Sequence, residues 1–167
     1  DRKIDIFGAF KNIIKAQKFS PEVRTLFLIS FLVNAGMAFF YSFFNVYLTN
    51  KFGFSPAEIG NFFAYVGLWV IITQVVVVRH LAKKHKEIDI LGPTYFLYAL
   101  GVLLYLVPNK AWMLLLVVPI ASIPNGVQMA NFSALLSKKT EEKMRGEVMG
   151  VNSSVSSLGQ ASPPIIA

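Results

Sequence analysis

RGEVMGVNSSVSSLGQASPPIIA, residues 145–167, is either a flexible linker or a membrane helix, and the two readings describe different proteins. It follows a charged run, Lys138-Lys139-Thr140-Glu141-Glu142-Lys143, and carries no charge after Glu147. Gly, Ser, Asn and Gln keep it from being strongly apolar. At about 100° per residue, Asn152, Ser153, Ser156 and Gln160 share one helical face. Gly146, Gly150 and Ser154 recur every four residues, a spacing that lets a second backbone come close. In isolation a Gly/Ser-rich linker is the simplest interpretation. The chain in front of it points the other way.

The protein has 167 residues, of which 54% are hydrophobic, 14% aromatic and only 15% charged, with mean hydropathy +0.55. Soluble domains average about 25% charged residues, so the composition leans toward the membrane class. A net charge of +7 would ordinarily suggest nucleic acid or anionic lipid as partner, but its placement argues for membrane orientation and against a nucleic-acid role. There is no cysteine, which excludes disulfides and thiol chemistry. The chain begins at Asp1 and ends inside an apolar run, so a piece of a longer protein is expected.

Residues 1–20 place Ile6, Phe7, Phe10, Ile13 and Ile14 at helical spacing, with Lys11, Lys15 and Lys18 opposite. That pattern fits a basic interfacial helix or a soluble linker helix. Residues 26–48 are uncharged for 23 positions, enough to cross a core about 30 Å thick. They carry a stripe of Ser30, Asn34, Tyr41 and Asn45, crowded by Phe39, Phe40, Phe43, Phe44 and Tyr47. Such a stripe either faces a water-filled cavity or bonds to a neighbouring helix.

Ser55-Pro56-Ala57-Glu58 reads as a capping box with proline at the first helical position. Residues 59–78 form the second expected span, with Gly60, Ala64, Gly67, Ile71 and Gln74 on one face; Gln74 is packing glue or a ligand contact. Residues 90–107 are the third and 111–136 the fourth. Pro119 and Pro124 are expected to interrupt the fourth, next to Asn125, Gln128 and Asn131. Broken membrane helices with nearby polar groups mark transport sites, although proline kinks also serve packing. His80 and His85 stand five apart among lysines, poor geometry for a metal, and no metal or other cofactor is expected.

The charges assign the sides. Residues 1–25 and the loops after the second and fourth spans hold fourteen of the 16 Lys and Arg, while the loops after the first and third hold one each, Lys51 and Lys110. This alternation follows the positive-inside rule for four crossings with a cytoplasmic N-terminus, and it makes 146–167 a fifth span cut short. All nine acidic residues lie in tails, loops or span ends, so a coupling carboxylate is expected elsewhere in the protein. No nucleophile–base pair lies at membrane depth, and no enzyme is expected.

With the spans placed, residues 20–167 resemble one half of a major facilitator superfamily transporter, and within it the bacterial drug and sugar efflux branches. The loop RHLAKKHKEID, residues 79–89, is similar to the family's G-x-L-A-D-R-x-G-R-R loop: Leu81, Ala82 and Lys84 match, while Arg79, Lys83 and Lys86 replace the first Gly, the Asp and the second Gly. MRGEVMGVNSSV resembles the R-G-x-x-x-G opening of later spans, and Gly159 with Pro164 resembles G-x-x-x-G-P-x-x-G, with Pro163 and Ala167 where Gly is usual. The worn loop suggests the C-terminal half, with residues 1–20 as the cytoplasmic linker.

The resemblance implies an all-α membrane protein working by alternating access, with the N-terminal half as a missing partner in the lipid bilayer of the plasma membrane. Arg79 and Lys84 would belong to a cytoplasmic gate, and Arg145 and Gly146 to a hinge. Ser30, Asn34, Tyr41, Asn45, Gln74, Asn125, Gln128, Asn152 and Ser156 would line a cavity for a small-molecule substrate. Aromatic crowding favours an amphiphilic, drug-like substrate over a free sugar, and the resemblance implies its export in exchange for protons. An ATP-driven permease subunit and a sugar or metabolite uptake symporter are the alternatives.

Overall fold

A computed structural model describes residues 19–162. They form helices joined by short turns, with no strand among the described residues. Helix α1 is Pro21–Phe52, α2 is Pro56–Leu81, α3 is Glu87–Leu104, α4 is Ala111–Lys138 and α5 is Arg145–Gln160, preceded by a single 3-10 turn at Glu142–Met144. Helices α1 to α4 are each long and apolar enough to cross a membrane. The expected interfacial helix at 1–20 and the end of the expected fifth span, 163–167, lie outside the described residues.

Local sequence explains the boundaries. Gly53 ends α1 with φ +70°, a left-handed conformation glycine adopts without penalty. The capping box then starts α2: Ser55 Oγ accepts from the Glu58 N–H, and the Ser55 N–H donates to Glu58 Oε2 at 2.8 Å. Helix α3 stops at Leu104, three residues short of the expected 107, and the chain turns through Tyr105–Val107 by i→i+3 bonds. Leu28, Leu32, Phe43, Phe96 and Leu116 are exposed. Outward-facing side chains of this kind suit a lipid solvent and would be a liability in water.

Two compact units make up the chain: Asp1–Val46 with Leu136–Ala167, and Tyr47–Leu135. In the first, α1 and α5 cross closely. A Cβ added to Gly159 would lie 2.8 Å from the Phe31 carbonyl oxygen and 3.0 Å from the Ala35 nitrogen. Val148, Val151 and Val155 continue the buried stripe of α5 that ends at Gly159. The expected close approach at Gly146 and Gly150 does not occur among the described residues, because a Cβ at either would meet nothing within 4 Å. The four-residue spacing is right, but the touching face is turned toward Gly159.

In the second unit α4 packs against both α2 and α3. Gly101 of α3 lets the Ala121 Cα come within 2.7 Å of where a Cβ would be, and Gly126 of α4 does the same for Thr73 and the Val70 carbonyl of α2. The small-residue face of α2 is not what packs here: a Cβ at Gly60 or Gly67 would meet nothing within 4 Å among the described residues. Nor do Pro119 and Pro124 break α4, which runs unbroken as Ala111–Lys138. A proline deletes one N–H bond, and a membrane helix tolerates that loss where neighbours satisfy the freed carbonyl. The irregular turn is in α2, at Thr73–Val77, where the Val78 N–H reaches back five residues to the Thr73 carbonyl. This π turn is built from Thr, Gln and three Val, and β-branched side chains are the least comfortable in a regular helix.

Candidate functional site

In the first unit the polar residues of α1 and α5 meet. Ser30 and Ser156 share a hydroxyl–hydroxyl bond of 3.0 Å. The Asn34 Nδ2 donates to the Ser30 carbonyl at 2.8 Å and to Ser156 Oγ at 3.3 Å, and its Oδ1 accepts from Gln160 Nε2 at 3.1 Å. Asn34 is therefore bonded at both ends of its amide. The spacing produces this: Ser30 and Asn34 are one turn apart on α1, Ser156 and Gln160 one turn apart on α5, and the two helices run in the same direction. Gly159, between the two α5 contributors, lets the backbones come close enough for short side chains to span the gap. Asn152, one turn before Ser156, has its Oδ1 buried without a hydrogen-bond partner among the described residues.

Further along α1, Tyr41 and Asn45 are exposed, with the Tyr41 ring edge-on to Phe40 at 5.6 Å. Arg145 and Gly146, at the start of α5, are exposed as well. The network is neutral throughout. In the same unit Glu22 pairs with Lys139 at 2.8 Å at the exposed start of α1.

In the second unit α4 carries the polar groups. The Gln128 Nε2 donates to Asn125 Oδ1 at 3.0 Å, and the Asn131 Nδ2 donates to the Val127 carbonyl. Ser122 Oγ on α4 and Trp69 Nε1 on α2 are both buried with no hydrogen-bond partner among the described residues. These helices also run in parallel, since Tyr65 donates to the Leu115 carbonyl and Thr73 faces Gly126 farther along both. Gln74 is exposed within the π turn, and Arg79 and Lys84 are exposed beyond it. Among the described residues no three His, Asp or Glu side chains converge as a metal would need.

A family model, Major Facilitator Superfamily, matches residues 4–167. The chain belongs to the major facilitator superfamily. Among its relatives within and around this superfamily are the hippocampus abundant transcript-like protein 1 of Mus musculus and that of Homo sapiens, each 28% identical over 152 residues, and that of Bos taurus at 27%. The match covers 90% of this chain and 29% of each relative, so the chain spans under a third of the curated relatives' length. No solved structure matches. Membership makes the chain part of a multi-pass transporter superfamily, in line with its four apolar helices.

Against this background, the chain brings together Ser30, Asn34 and Ser156 in one unit and Asn125 with Gln128 in the other. Sequence reasoning left Trp69, Ser122 and Thr73 out of the site. Ser122 lies one turn before Gly126, at a helical spacing that was available, whereas nothing local marks Trp69. Gln160 shared the polar face of α5 but was not placed in the cavity.

Proposed function

We propose that the chain is the C-terminal half of a secondary active transporter that exports amphiphilic, drug-like compounds in exchange for protons by alternating access. The Ser30–Asn34–Ser156–Gln160 network carries the reading. It is an uncharged hydrogen-bonding cluster between two helices of a major facilitator chain, able to trade partners as helices shift without moving charge across a membrane. Tyr41 and Asn45 extend the same helix as the aromatic, substrate-facing part. Asn152 extends the polar face of α5 in the first unit, and Gln74, Asn125 and Gln128 are the substrate-facing polar groups of the second. Arg79 and Lys84 act at a cytoplasmic gate, and Arg145 with Gly146 forms the hinge. The N-terminal half supplies the coupling carboxylate, and the assembly resides in the plasma membrane with residue 1 on the cytoplasmic side.

The test is accumulation of a fluorescent amphiphile, ethidium, in cells producing the full-length protein, with and without a protonophore. Accumulation should fall with the protein present and recover when the proton gradient collapses. Protein-dependent accumulation that the protonophore abolishes would point instead to an uptake symporter. Asn34→Ala and Tyr41→Ala should each raise the apparent KM several-fold. An unchanged KM in both would leave these side chains as packing residues.

A further inference from the structure

At the Phe54–Glu58 end of the second unit, Phe54, Glu58, Asn61, Phe62, Tyr65, Ala111 and Leu115 line a cleft of about 220 Å³. Its walls are three aromatic rings and two aliphatic side chains, with one carboxylate and one amide as polar groups. Rings present a negative face to a cation, and Glu58 adds a formal charge of the same sign. The capping box fixes that carboxylate, because Ser55 donates to Glu58 Oε2 from both its N–H, at 2.8 Å, and its hydroxyl, at 2.7 Å. The floor is fixed too: Phe62 is buried edge-on to Tyr105, and the Tyr65 hydroxyl is tied to the Leu115 carbonyl.

The same end of the unit already holds one cation on rings. The Lys51 ammonium lies 5.1 Å from the Tyr47 ring centroid and 5.5 Å from that of Phe52, and it donates to the Tyr47 hydroxyl. Lys51 is thus engaged beside the cleft and is not one of its lining residues. The cleft has room for an ammonium head with part of an aromatic or short alkyl body.

From this geometry we infer that the cleft between the start of α2 and the start of α4 is a binding site for a small organic cation, a quaternary or aryl-alkyl ammonium group. Its body packs on Phe54, Phe62 and Tyr65, and its charge faces Glu58.

The probe is benzyltrimethylammonium, titrated calorimetrically into the full-length protein in phosphatidylcholine nanodiscs, with empty nanodiscs as the partition control. Neopentylbenzene, which replaces the charged nitrogen by carbon, is the neutral counterpart. The wild type should bind the cation at least about tenfold more tightly than the neutral compound. Glu58→Gln keeps a side chain that still closes the capping box, so the fold is retained while the charge is lost. It should erase the preference for the cation. Phe54→Leu, in the turn before α2, should weaken cation binding several-fold with the thermal midpoint unchanged. Equal binding of both compounds by the wild type, or cation binding that Glu58→Gln leaves intact, would overturn the assignment.

Discussion

A side chain on Gly159 has nowhere to go, since the atoms nearest its missing Cβ are backbone atoms of α1. Gly159→Ala gains helix propensity of about 1 kcal/mol, but overpacking of this kind costs about 1–3 kcal/mol. A net loss of thermal stability in detergent is expected. Gly150→Ala is the control: a Cβ there meets nothing, so stability should hold or rise by about 0.5–1 kcal/mol. Ser156→Ala removes the bonds to Ser30 and Asn34. Interhelical hydrogen bonds in membranes average about 0.6 kcal/mol, so a loss near 1 kcal/mol is expected. Combined with Asn34→Ala the loss should be clearly less than additive, because the two share one bond. Strict additivity in a double-mutant cycle would mean the network is not coupled. The stripe at Ser30 and Asn34 was legible in the sequence because hydroxyl and amide side chains recur at helical spacing in an apolar span. Their partners on α5 were not, since spacing says which residues share a face but not what that face meets.

At the scale of elements, four apolar stretches and one capping box were readable because each signal is local: run length for the spans, and Ser55 with Glu58 three residues on for the start of α2. The breaks were misassigned for a reason equally physical. Pro119 and Pro124 are conspicuous, yet a proline costs one hydrogen bond and α4 absorbs the loss of both. The π turn at Thr73–Val77 contains neither proline nor glycine, and its cause is spread over packing against Gly126 and four β-branched neighbours. Deleting Val75, an exposed residue of that turn, should restore regular α-helix while the rest of α2 keeps its facing. The expected result is a protein that still inserts and folds but loses transport, measured as substrate accumulation against helix content. Retained transport would show that the turn is dispensable.

For the whole molecule, the charge pattern makes a geometric claim that the chain is well suited to test, because it has no cysteine to give background. Lys84→Cys and Lys143→Cys should react with a membrane-impermeant maleimide from one side only, and Asn50→Cys and Asn109→Cys from the other. All four positions are exposed and outside the tight helix contacts. Four cysteines labelled from the same side would overturn the topology. Residues 145–160, the stretch that resembled a linker, are helix α5. Their polar face is taken up by hydrogen bonds to α1, while Val148, Val151 and Val155 make a buried apolar stripe.

The π turn also leaves a trace that can be read without any protein in hand. A turn closed over five residues holds one residue more than a turn closed over four, while the helix on either side keeps its facing. Relatives whose second span is plain α-helix should therefore be one residue shorter between the positions of Trp69 and Arg79. A correct alignment would open a single gap there, inside a membrane helix, where gaps are usually penalised most heavily. Relatives that share the extra residue would form the subgroup that inherited this turn.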